Sequence, residues 1–123
     1  MIETTDYEPT YFDLEVDGEI AVASFRNEQL TEEDNLEQLG QELFALVDHY
    51  HFRKVILRLG PVRYVTSAVL GKLITLHRKL GRNEGKLILC DIHEELEDVL
   101  STSKLLTYFV SEKDVAASKV ALQ

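Results

Sequence analysis

An α/β fold, built on a mixed and mostly parallel β-sheet with an N-terminal β-hairpin and packed by four α-helices, is what this chain predicts. Three observations carry that expectation. Two short apolar runs, Val55 to Leu59 and Leu87 to Cys90, are too continuous for half-exposed strands and so belong inside a sheet. Between and around them lie segments with helical three-four spacing of apolar residues. At the start, a stretch of period two meets a second strand through Asp17-Gly18, a hairpin dipeptide. The resulting order, ββαβαβαβα, puts helices between inner strands, and such crossovers join parallel neighbours.

The elements follow in turn. Residues 1–10 form an acidic segment expected to be flexible, and residues 11–123 a single domain. From Tyr11 to Val16, Phe12, Leu14 and Val16 face one way and Asp13 and Glu15 the other, so this strand is half-buried. Ile20 to Phe25 returns antiparallel, and Arg26 to Leu30 reads as a loop. Thr31-Glu32-Glu33-Asp34 has capping-box spacing before a helix striped by Leu36, Leu39, Leu43, Val47 and Tyr50, with Phe44 and Leu46 widening the stripe. The Val55 to Leu59 strand then leads through a turn to Thr66 and Ser67, a natural N-cap pair. In the helix they open, Val69, Leu70, Leu73, Ile74, Leu76, His77 and Leu80 follow the three-four spacing. After Gly81 to Gly85 turns the chain into the Lys86 to Cys90 strand, Asp91 is expected to cap a short helix through Leu96, Val99 and Leu100. Thr107 to Val110 is a brief strand, and Ser111 to Asp114 cap a last helix with Val115, Ala116, Val120 and Ala121 on its apolar side.

Length and charge restrict the function classes. At 123 residues the chain supports one core. Its net charge of −9 opposes nucleic-acid phosphates. The cations His77, Arg78, Lys79, Arg82 and Lys86 gather at one helix end, where a solvated face complementing the helix dipole accounts for them. A single cysteine, Cys90, excludes an intramolecular disulfide and points to a reducing compartment. With no signal segment and no apolar run near the ~20 residues a bilayer needs, a cytoplasmic protein without membrane insertion is expected. Enzyme motifs are missing: Ser67 lacks the Gly-x-Ser-x-Gly context, no glycine-rich phosphate loop occurs, and His49-x-His51 has no third ligand. The acids Glu94, Glu95, Glu97 and Asp98 read as a solvated helix face. No catalytic residue, cofactor or metal is therefore expected. A receiver-like doubly wound fold is the rival architecture, but its Mg²⁺ site needs a carboxylate at the end of the central strand, where Arg58-Leu59-Gly60 stands.

The chemistry-bearing feature is the hydroxyl pair at the start of the long helix. A phosphate added there would meet free backbone N–H groups and the positive end of the helix dipole. The strand, the Gly60-Pro61-Val62-Arg63-Tyr64-Val65 turn, the Thr66-Ser67-Ala68 segment and the Leu76-His77-Arg78-Lys79-Leu80 helix resemble the STAS domain of bacterial anti-sigma-factor antagonists. The resemblance runs from about Tyr11 to the C-terminus. In that family the strand leads into Asp-Ser-Ser/Thr-Gly, whose first Ser is phosphorylated by a partner kinase. Set position by position, the family Asp falls on Val65, the phosphorylated Ser on Thr66, the second hydroxyl on Ser67 and the Gly on Ala68. Arg58 stands where the family strand carries Asp. The resemblance implies a STAS-like fold and a non-enzymatic switch that binds an anti-sigma factor with kinase activity. It implies Thr66 as first phosphorylation candidate, Ser67 as reserve, and a partner surface of Arg58, Tyr64, Val65, Thr66, Ser67, Ala68 and Lys72. Because Val65 and Arg58 remove the family's negative charges, a constitutive adaptor or scaffold is the alternative.

Overall fold

A computed structural model describes residues 7–30, 36–105 and 107–123; the capping box expected at Thr31 to Asp34 lies outside the described residues. The alternating segment forms β1 (Phe12–Asp17) and pairs antiparallel with β2 (Ile20–Phe25). Asp17 pairs with Ile20, so the hairpin loop is Gly18-Glu19, one residue later than the dipeptide suggests. Gly18 holds a φ of 61° there, in the left-handed region that favours glycine. Next come β3 (Gln29–Leu30), α1 (Leu36–Asp48), β4 (Lys54–Arg58), β5 (Tyr64–Val65) and α2 (Ser67–Arg82). The chain ends with β6 (Lys86–Cys90), α3 (Glu94–Thr102), β7 (Val110–Glu112) and α4 (Val115–Ala121).

The main sheet has the order β1-β2-β4-β6-β7, parallel everywhere except the hairpin. That antiparallel edge distinguishes it from the receiver-like rival. Alternate residues of β4 and β6 face opposite cores. Val55, Leu57, Leu87 and Leu89 lie in the larger one with residues of α1, α2 and α3, while Ile56, Ile88 and Cys90 lie under Leu122 beside α4. Burial on both faces explains why these strands are unbroken apolar runs. Cys90 is fully buried, and burial pushes its thiol up to about 11.

Several expectations are corrected. The loops at 26–30 and 60–65 contribute β3 and β5, which pair in parallel as a separate two-stranded sheet. Leu30 and Val65 enter the core there, so their backbones must find partners: Arg63 N–H donates to Glu28 O at 2.7 Å and Thr66 N–H to Leu30 O at 3.2 Å. Asp91 does not cap α3. It takes a φ of 54° and pairs with Arg58 instead, and His93 Nδ1 accepts the Glu95 N–H at 3.2 Å. The last strand is Val110–Glu112, because Tyr108 and Phe109 turn onto His77, with ring centroids 4.9 and 5.7 Å away. Asp114 caps α4 as expected by accepting the Ala117 N–H, yet the buried residues of this stretch are Ser118 and Leu122. Val115 is half-buried, while Ala116, Val120 and Ala121 face solvent, because the i, i+4 pair Ser118 and Leu122 points α4 at the sheet.

On α1, Tyr50 lies beyond the helix end and packs against Tyr7, ring centroids 5.0 Å apart. Within the apolar stripe sits a carboxylate. Glu42 Oε2 accepts the Thr10 N–H at 2.7 Å and Oε1 the Tyr11 N–H at 3.1 Å, and Tyr7 Oη donates to the Glu42 carbonyl. The residues before β1 are thereby tied to α1.

Candidate functional site

The start of α2 is positioned by β4, which delivers the chain to the sheet's carboxyl edge, and by the β3–β5 pair, which fixes the turn. Thr66 is the N-cap residue, extended at φ −87° and ψ 168°, and its carbonyl accepts the Leu70 N–H at 3.0 Å. Its side chain makes no cap hydrogen bond. Oγ1 is shut from solvent and has no partner among the described residues. The expected cap thus holds in position and fails in chemistry. Ser67, the first helical residue, is exposed. Thr66→Ala has no cap bond to lose, and its Tm is expected within about 2 °C of wild type; loss of a working N-cap would cost about 0.5–2 kcal/mol and show as a clear shift in thermal unfolding.

Facing this turn is α3. An open groove of about 640 Å³ lies between them, with Tyr64, Val65, Thr66, Ser67 and Leu70 on one wall and Asp98, Val99, Thr102 and Ser103 on the other. Tyr64 is 48% exposed at its mouth, whereas Val65 is only 4% exposed and serves the core as much as the surface. Ser103 Oγ donates to Val99 O at 2.8 Å, so that hydroxyl is occupied within the helix. Asp98 makes no hydrogen bond or ion pair among the described residues. Its neighbour on α3, Glu95, is engaged by Arg63 at 3.5 Å.

Of the residues singled out from the sequence, Tyr64, Val65, Thr66 and Ser67 come together here, with Ala68 exposed on the first turn of α2. Arg58 and Lys72 stand apart. Arg58 Nε bonds Asp91 Oδ2 at 2.9 Å at the end of β4, and Lys72 lies against α1, its Cδ 3.2 Å from where a Cβ on Gly40 would sit. The acids of α3 are exposed, as a solvated face requires; what sequence reasoning missed is that this helix forms the groove's second wall. The signal was in the topology: β4 and β6 are adjacent, so the helices that follow them lie side by side on one face of the sheet.

The basic cluster near the end of α2 divides. Lys79 Nζ bonds Asp48 Oδ2 at 2.9 Å and lies 5.3 Å from the Phe44 ring centre, while His77 is covered by aromatic rings and held by burial below its usual pKa. Among the described residues no group of three metal-ligating side chains gathers, and no helix is long and apolar enough to cross a membrane.

Comparison with known proteins agrees with this architecture. The model of the STAS domain matches residues 3–118. A candidate anti-sigma factor antagonist of Bordetella bronchiseptica, BtrV, is 36% identical over 92 residues, covering 72% of this chain and 78% of that protein. Among solved structures, a STAS domain protein from Planctomyces limnophilus superposes with a TM-score of 0.79 at 18% identity, over 91% of this chain and 97% of its own. The Bacillus cell fate determinant SpoIIAA, in its phosphorylated form, gives 0.67 at 19% identity, over 89% and 98%. With its hairpin-edged parallel sheet and a matching profile over nearly its whole length, the chain belongs to the STAS domain family, among relatives named as anti-sigma factor antagonists.

Proposed function

We propose that this chain is a cytoplasmic, non-enzymatic partner switch: it docks an anti-sigma factor with kinase activity at the start of α2, and phosphate on Ser67 releases that partner. One observation carries the reading. Ser67 presents an exposed hydroxyl at the first helical position beside an open groove, whereas the Thr66 hydroxyl is buried. The family pattern set Thr66 first and Ser67 in reserve; accessibility reverses that order, since a kinase must reach the oxygen it modifies. The phosphorylated SpoIIAA structure and the description of BtrV as an anti-sigma factor antagonist support the same class of mechanism. The docking surface then comprises Tyr64, Ser67, Ala68 and the groove, with Arg58 and Lys72 outside it.

The energetics favour release by conflict. A phosphoserine carries about −1.5 to −2 charge, and the dipole of α2 returns only about 0.3–1 kcal/mol at an exposed helix start. Intramolecular gain of that size moves nothing large. A dianion standing where an apolar and hydrogen-bonding partner must seat does, because the partner would have to desolvate it.

The test is to recover the partner by co-purification from the native cell, incubate the pair with ATP and locate phosphate by mass spectrometry. Label is expected on Ser67 and absent from Ser67→Ala. Ser67→Asp should keep its native circular dichroism and lose partner affinity by calorimetry. A partner that binds wild type and Ser67→Asp equally and places no label on Ser67 or Thr66 would instead establish the constitutive adaptor. The ion pair that occupies Arg58 in place of the family Asp favours that second reading.

A further inference from the structure

We infer that the groove between α2 and α3 receives an extended peptide segment of the partner carrying an arginine or lysine beside an apolar residue, with Asp98 as the counter-charge that selects it. The inference rests on the docking reading above and adds the chemistry of what docks. The two walls carry opposite polarity. On the α2 side, the exposed Ser67 lines the groove with its hydroxyl and a first-turn N–H that has no intrahelical acceptor. These groups call for acceptors, which a peptide carbonyl supplies. On the α3 side stands the carboxylate of Asp98 with no partner among the described residues, although Glu95 one turn earlier is taken by Arg63. A free anion would satisfy the first wall and be repelled by the second, and an isolated cation the reverse. A peptide with a cationic side chain meets both at once. Leu70 and Val99 leave apolar surface between the walls for the neighbouring side chain, and about 640 Å³ accommodates a few residues of extended chain.

This occupant also explains how one phosphate would act. Phosphate on Ser67 would cover the acceptor-seeking wall, so a peptide carbonyl could no longer reach it, and Asp98 would lose the ligand held opposite. The contributions of Ser67 and Asp98 to binding should therefore be non-additive.

The test titrates N-acetyl-Leu-Arg-Leu-amide into ¹⁵N-labelled protein, with N-acetyl-Leu-Gln-Leu-amide and inorganic phosphate as parallel probes. Saturable amide shifts are expected at Ser67, Ala68, Asp98 and Thr102 with the arginine peptide. Affinity at least about ten-fold weaker is expected for the glutamine peptide on wild type and for the arginine peptide on Asp98→Asn, whose exposed substitution leaves the fold intact. Equal response to both peptides, an unchanged affinity in Asp98→Asn, stronger shifts with phosphate, or no saturable shift up to about 10 mM would each overturn the inference. None of these outcomes bears on Ser67→Asp and the whole partner, so the docking reading stands or falls separately.

Discussion

Leu73→Asp is expected to lower stability by about 3–5 kcal/mol, because it leaves a carboxylate unpaired beneath α2. Leu73 is 3% exposed and sits in the large core with the inward residues of β4 and β6. The described residues clustered in that layer are hydrophobic, so the new group must either stay charged at high cost or take up a proton and still lose the leucine's packing. Against a typical domain stability of about 5–15 kcal/mol, such a loss consumes much of the total. Urea unfolding followed by circular dichroism gives the measurement. A midpoint within error of wild type would mean that α2 does not pack on the sheet through this face.

Glu42→Ala is the second large effect, with an expected loss of about 2–4 kcal/mol, reached by a different route. The substitution removes the acceptor of the Thr10 and Tyr11 N–H groups, and Tyr11 is 7% exposed, so its amide has little access to water as a substitute. Hydrogen bonds to a carboxylate are stronger than neutral ones, and these two are lost together with the one Gln38 Nε2 donates to Oε2 at 3.1 Å. Glu42→Gln keeps one acceptor oxygen and should fall between the two. Chemical denaturation of all three proteins orders them, and an alanine variant as stable as wild type would show that the N-terminal segment docks without this carboxylate.

Much of the fold was legible because its elements are long enough to show a period. The alternation of β1, the continuous apolar runs of β4 and β6 and the three-four spacing of α1 and α2 each follow from which faces are buried. Two-residue strands have no period, which is why β3 and β5 read as loops; their pairing is decided by the burial of Leu30 and Val65, residues far apart in the chain. Glu42 was illegible for a related reason. An acid within an apolar stripe looks like a solvated edge until backbone amides more than thirty positions away close upon it. At the candidate site, the hydroxyl pair and the helix start were visible locally. Which hydroxyl faces solvent was not, since that depends on the direction each side chain takes from the folded backbone. The opposing wall depends on α2 and α3 being neighbours, a property of strand order.

The buried thiol of Cys90 makes the chain its own reporter of breathing. It is the only cysteine, it lies under Leu122, and burial pushes its pKa up to about 11. The thiolate is the nucleophile that attacks an alkylating reagent, and burial both keeps it scarce and shields it from the reagent in the folded state. Labelling therefore waits for an opening, and its rate counts how often one occurs. Lifting α4 off the sheet would uncover the sulfur while the large core remains closed, giving a rate almost independent of denaturant. Labelling through complete unfolding would instead accelerate steeply with urea, following the surface exposed. The curvature of one labelling profile thus separates the detachment of a seven-residue helix from the melting of the whole domain.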